Sequence, residues 1–171
     1  MMNFMGDDYH VDMSGKLYEE GNCGIACINS KTRIHSGCAI SGRLKRLIEK
    51  NLFNTTIAED YARIYAICIY YLIKDEVNEI ENLIICNDEK LIYVKLYLEE
   101  LFGVEPAPKI ISITEFQKKL GRKVKSLADN AADSYRKRAL KRNKWKIGIP
   151  LDVVEIDYEM ISKKWDLNKK L

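Results

Sequence analysis

The order of hydrophobic patterns along this chain predicts an α/β fold built on a mixed sheet. Three observations carry that expectation. The first forty residues hold three short runs of strand character separated by tight turns, as in an antiparallel meander. A long pattern with helical period follows, from the NTT triplet at 54–56 to about residue 73. Beyond it, short apolar runs alternate with helical patterns, an order that closes as parallel strands covered by helices.

Tyr9 to Asp12 is the first strand, closed by Met13, Ser14 and Gly15. Asn22 to Asn29 alternates toward β, and Ser30 with Lys31 turns the chain into a partner strand from Thr32 to Ile40. Ser41, Gly42 and RLKRLIEKN read as a connection with one or two helical turns. Asn54, Thr55 or Thr56 can cap the long helix, which runs to about Ile73 with Glu59 in its first turns. Ala58, Tyr61, Ala62, Tyr65, Ala66, Ile69 and Leu72 fall at three- and four-residue steps, so one face packs on something flat. Leu83 to Cys86 is a buried strand ended by Asn87 and Asp88. A helix from Glu89 to Phe102 follows and is stopped by Gly103 and the prolines at 106 and 108. Lys109 to Ile113 is a fifth strand, and Ser112 or Thr114 can cap the helical, basic stretch that reaches Asn143. Gly121 breaks that stretch; without the break, Thr114 to Asn143 is one long helix. Leu151 to Ile156 reads as extended, and Asp157 caps a last short helix through Trp165.

The 171 residues, 47% of them hydrophobic, are enough for one domain with its own core. That domain is expected to span 1–171, with a core at about 9–143 and a C-terminal extension at 144–171. The net charge of +3 is unevenly spread: between residues 118 and 146, twelve Lys and Arg face only Asp129 and Asp133. Such a stretch suits a polyanion, and its plain alternative is a solvated helix face. The five cysteines (Cys23, Cys27, Cys38, Cys68 and Cys86) are odd in number, lie in apolar runs and show no CxxC spacing. They argue for buried thiols in place of a disulfide frame or a zinc site. The start shows no basic and then apolar leader, and the longest apolar stretch, Ile64 to Ile73, is too short to span a bilayer. A cytoplasmic protein that makes no use of a membrane is the expectation.

Four acids stand out by their places on these elements. Asp12 ends one apolar run and Asp88 another; Glu59 opens the long helix, and Asp133 lies in the late basic helix. Carboxylates delivered from several elements to one point are what a divalent-metal site for phosphoryl chemistry requires.

The residues around them resemble the ribonuclease H-like superfamily, most closely type 1 ribonuclease H. VDMSG at 11–15 followed by GNCGIA at 21–26 is similar to the family's first-strand Asp-x-Ser and Gly-rich hairpin, with Met13 in place of the usual glycine. NTTIAEDYARIYAI resembles its first helix, and Glu59 falls on the catalytic glutamate. LIICNDEK resembles the end of strand four, with Asp88 as third carboxylate. ADNAADSYRKRAL resembles the last catalytic helix, with Asp133 as the fourth and Asp129, one turn earlier, as its competitor. The match runs from about Tyr9 to Leu140. It implies a five-stranded mixed sheet, a three-strand antiparallel meander plus parallel strands, flanked by helices.

The resemblance also implies a function. The chain would be a metal-dependent endonuclease that cuts the RNA strand of RNA/DNA hybrids with two Mg2+ or Mn2+ ions held by Asp12, Glu59, Asp88 and Asp133. One ion would activate the attacking water and the other would stabilise the leaving 3′ oxygen. Asn54, Thr55 and Thr56 fall where the family places polar side chains near substrate, with helix capping as the competing role. Arg136, Lys137, Arg138, Lys141 and Arg142 would contact phosphates. Two departures stand out: the basic protrusion of bacterial members is absent, and no histidine lies between strand five and Asp133. His10 and His35, on early strands, read as structural. The alternatives are a Holliday-junction resolvase or other structure-specific nuclease of the same fold, and a nucleic-acid-binding module without catalysis. Resolvases place their glutamate at the end of strand four, where this chain has Asp88.

Overall fold

The three runs of strand character at the start pair as their alternation predicts. β1 (Asp7–Ser14), β2 (Cys23–Asn29) and β3 (His35–Ile40) form an antiparallel meander in a computed structural model that describes residues 6–86, 89–103, 108–140 and 152–166. β3 starts three residues later than the sequence predicts, because 32–34 belong to the turn. The Asn29 side-chain oxygen accepts the N–H groups of Lys31 and Thr32, and Arg33 takes a left-handed conformation at φ 61°.

The basic connection after β3 is a full helix, α1 (Gly42–Leu52), rather than one or two turns. Ser41 caps it by accepting the Leu44 N–H, and Ile48 is buried on its inner face. Lys45 is buried too. Its ammonium donates to the carbonyls of Lys16 (3.3 Å) and Glu19 (2.6 Å), tying down the β1–β2 connection, while burial pushes its pKa down.

Helix α2 (Ile57–Ile73) begins where Thr56 accepts the Glu59 N–H. The chain returns through β4 (Ile80–Ile85), parallel to β1, into α3 (Leu91–Phe102), which ends on Gly103 at φ 81°. β5 (Lys109–Ser112) pairs parallel to β4, and Ser112 caps α4 (Ile113–Leu120). Gly121, left-handed at φ 68°, ends α4, and α5 (Asp129–Leu140) starts eight residues later. The one-helix alternative is therefore excluded: Gln117 donates to the Val124 carbonyl and Ser126 accepts the Ala128 N–H, holding the connection in a non-helical path.

The sheet order is β5-β4-β1-β2-β3-β6. Five strands make the expected mixed sheet. The sixth, β6 (Asp152–Val153), lies in the run read as extended from Leu151 to Ile156, and its parallel pairing with β3 adds a strand to the five expected. Successive residues on β1 face opposite layers. Tyr9, Val11 and Met13 join a core with α2, α3 and the last helix, α6 (Tyr158–Trp165), capped by Asp157 as expected. His10, Asp12 and Ser14 face the other way, toward the layer of α4 and α5. There Ala26 and Ile28 of β2 pack against Ala128, Ala132 and Tyr135, and His10 meets Phe116 edge to face.

Of the C-terminal segment, the described residues from Val154 to Trp165 contribute to the larger core. Ile156, Ile161 and Trp165 are buried there, Trp165 stacks on Phe53, and the Arg63 guanidinium lies over both Trp165 and Tyr97. Each such apolar side chain, fully buried, contributes roughly 1.5–3 kcal/mol. The four cysteines at 23, 27, 38 and 68 are buried and Cys86 is half-buried, all of them free thiols. Among the described residues no helix is long and apolar enough to cross a membrane.

Candidate carboxylate site

Asp12 sits on the central strand β1, only 6% exposed, opposite Ala26 of β2 and on the face covered by α5. Its Oδ1 accepts the Met13 N–H at 2.8 Å. β4 lies on the other side of β1 and extends one hydrogen bond past its last residue, the Cys86 N–H donating to the Val11 carbonyl. That bond brings the chain after β4 beside Asp12, but Asp88 itself lies outside the described residues.

Helix α5 brings a second acid to this strand. Ser14, two residues beyond Asp12 on the same face, donates from Oγ to Asp133 Oδ1 at 3.2 Å. Lys137 holds the other oxygen, Oδ2, at 2.7 Å. The Lys137 ammonium, aided by Ser14 and Arg136, keeps the Asp133 carboxyl below the usual carboxylate range. Asp129 pairs instead with Lys125 at 2.9 Å. Asp129, and more weakly Asp12, push the Lys125 pKa up, so this lysine stands within electrostatic reach of the strand carboxylate.

Glu59 is half-buried in the first turn of α2, which packs on the opposite face of the sheet. Helix α2 leads back to the start of β4, so its N-terminus lies toward the carboxyl ends of the parallel strands, the end that holds Ser14 and Cys86, with Asp133 and Arg136 of α5 at Ser14. Among the described residues no three of His, Cys, Asp and Glu group closely enough to hold a metal ion. What Asp12 and Asp133 do offer is hard oxygen donors, the donor chemistry that suits Mg2+ or Mn2+.

The acid that sequence reasoning missed is Asp60. It is fully buried and accepts the Asn54 N–H (3.1 Å), the Thr55 N–H (3.1 Å) and the Thr55 hydroxyl (2.8 Å). Thr56 caps α2, and the Asn54 side-chain oxygen accepts from Arg63 at 3.4 Å. Thus all three residues of the NTT triplet have roles in seating the helix. Only the adjacency of two acids in a first turn hints at Asp60 in the sequence; its burial is a tertiary fact.

The basic residues are less evenly described. Arg136 reaches Ser14 and Lys137 reaches Asp133, while the Arg138 side chain, Lys141 and Arg142 lie outside the described residues. Upstream, Arg122, Lys123 and Lys125 are exposed on the connection into α5. His35 accepts or donates to the buried Tyr135 hydroxyl at 3.0 Å, a structural contact between β3 and α5. No family model, curated protein or solved structure matches this chain.

Proposed function

We propose that the chain is a divalent-metal-dependent endonuclease of the ribonuclease H type, acting on the RNA strand of RNA/DNA hybrids. The observation that carries this reading is the placement of Asp12. It lies on the central strand of a β5-β4-β1-β2-β3 order in which β2 alone runs antiparallel, and it faces the helix that bears Asp133. The end of β4 runs beside it. The order of elements and the adjacency of strands one and four are those the ribonuclease H resemblance implies.

Bound Mg2+ or Mn2+ would supply a water activated at neutral pH and charge neutralisation at the scissile phosphate. Asp12 and Asp133 would hold it, with Glu59 and Asp88 completing the set. Asp12, dry and fixed by the Met13 N–H, would keep its carboxylate oriented, and the exposed cations from Arg122 to Lys125 and on α5 would draw in the phosphate backbone. A hybrid would be read through groove shape and 2′ hydroxyls, which needs no base-specific side chain.

The test is incubation of the protein with labelled RNA/DNA hybrid, duplex DNA and a four-way junction in Mg2+ or Mn2+. Cleavage confined to the RNA strand of the hybrid is expected. Cleavage of the junction alone moves the protein to the resolvases, and binding without any cleavage makes it a non-catalytic module.

Two further outcomes follow from the site. Asp133→Asn should lower the cleavage rate and raise the metal requirement without abolishing turnover, while Asp129→Asn should be near silent, because it is Asp133 that Ser14 ties to β1. Metal-titration kinetics of both variants check this, and the reverse pattern means that the family register of α5 is off by one turn. Replacing Arg136 and Lys137 by Gln should weaken binding to all sequences alike. The slope of log affinity against log salt should become shallower by about one for each phosphate that is no longer neutralised; an unchanged slope assigns these residues to solubility.

A further inference from the structure

Asp133 is held by β1 as well as by its own helix. Ser14 Oγ donates to its Oδ1 at 3.2 Å, and Arg136 Nη1 donates to Ser14 Oγ at 3.4 Å, so the serine hydroxyl is donor to one residue of α5 and acceptor from another one turn away. The accepted bond fixes the direction in which the hydroxyl proton points. Arg136 is itself confined. Its Cδ lies over Gly15, which takes φ 75°; a Cβ there would come within 3.1 Å of that carbon and 2.6 Å of the Asn22 carbonyl oxygen.

The two oxygens of Asp133 are therefore unequal. Oδ1 is pinned from β1. Oδ2 is held at 2.7 Å by Lys137, whose side chain is 68% exposed. An exposed i,i+4 pair contributes little and exchanges readily, so Oδ2 is the oxygen available to a cation. Hydrogen bonds of this kind orient metal-binding carboxylates and carry a large share of metal affinity.

We propose that Ser14 is a positioning residue that turns Asp133 toward the strand of Asp12, so that Asp133 and not Asp129 serves as the fourth metal-binding carboxylate. This rests on the nuclease reading above. Asp129 and Asp133 each hold an exposed lysine four residues away, Lys125 and Lys137, so the ion pairs do not separate them; Asp133 is in addition anchored from β1 by Ser14, two residues from Asp12 on the same face of the sheet.

The experiment measures Mn2+ binding by calorimetry and the Mn2+ dependence of hybrid cleavage for the parent, Ser14→Ala, Ser14→Thr, Asp133→Asn and the Ser14→Ala/Asp133→Asn double variant, with melting curves for each. Ser14→Ala should raise the Mn2+ concentration for half-saturation about tenfold, and Ser14→Thr, which keeps the hydroxyl, should stay within about twofold of the parent. Ser14→Ala should change nothing further once Asp133 is Asn. A folded Ser14→Ala with the parent's metal requirement overturns the inference, as does an effect that adds to that of Asp133→Asn. A parent that binds Mn2+ but cuts no nucleic acid sinks the nuclease reading alone, since the binding arm still reads Ser14. A parent that binds no Mn2+ at millimolar concentration sinks both.

Discussion

Asp12→Asn should leave a folded protein that binds hybrid as the parent does and cuts it on the order of a thousandfold more slowly. On the nuclease reading the rate would follow from removing a charge at a bound metal, worth several kcal/mol of transition-state stabilisation, about 4 kcal/mol for a thousandfold. Folding survives because the bond that seats this side chain is accepted by a carboxylate oxygen from the Met13 N–H, and an asparagine carbonyl oxygen can accept it equally. Binding survives because the exchange removes a negative charge and touches none of the lysines and arginines. Calorimetric or anisotropy binding beside single-turnover cleavage separates these outcomes. If binding and cleavage fall together, Asp12 holds the fold; if cleavage is unchanged, Asp12 is not at the reacting phosphate and the nuclease reading fails with it.

What the sequence discloses and what it hides divide along the range of the interaction. β1 to β5, the Thr56 cap of α2, the Gly103 and Gly121 stops and the Asp157 cap of α6 all rest on local chemistry and are present, although β1 runs on through Met13 and Ser14, where the pattern closes it, β3 starts three residues late and β4 starts three residues early, at Ile80. Helix α1 is longer than predicted because its charged residues disguise an inner face of Lys45 and Ile48, and only the carbonyls of Lys16 and Glu19 explain a buried lysine there. β6 lies in a run whose extended character is legible, but its two residues are a strand only through pairing with β3, which no local pattern can announce. In the site, Asp12 is legible as an acid in an apolar strand. Asp60 is not: it sits beside Glu59 in the same helical turn, and only the path of the chain at Asn54 and Thr55 makes one acid a buried anchor and leaves the other half-buried. The choice between Asp129 and Asp133 is likewise invisible to spacing, since residues four apart share a helix face. The structure adds one difference between them, a hydrogen bond to Asp133 from Ser14, a partner remote in sequence.

Gly24→Ala should be the most damaging small substitution in the sheet. Gly24 lies on β2 where α5 crosses, and a Cβ there would run into the Ala132 carbonyl oxygen and the Arg136 nitrogen, both of them backbone atoms of α5. A flexible side chain could swing aside, but a helix backbone cannot, so the helix must lift off the strand. Overpacking of this kind costs about 3 kcal/mol, or roughly 6–12 °C in melting temperature for a chain of this size. The consequence reaches the carboxylates. Arg136 and Asp133 meet Ser14 only while α5 rests on β1 and β2. Lifting the helix therefore withdraws Asp133 from Ser14 even in the molecules that remain folded. Gly37→Ala is the informative comparison, because its Cβ would meet the ring of Tyr135, a side chain, on the neighbouring strand β3. Thermal melts paired with Mn2+ titrations should show both variants destabilised. Gly24→Ala should lose metal affinity at temperatures well below its melt, and Gly37→Ala should keep more of it. Equal metal affinity in the parent and in folded Gly24→Ala would mean that the packing of α5 on β2 does not set the position of Asp133.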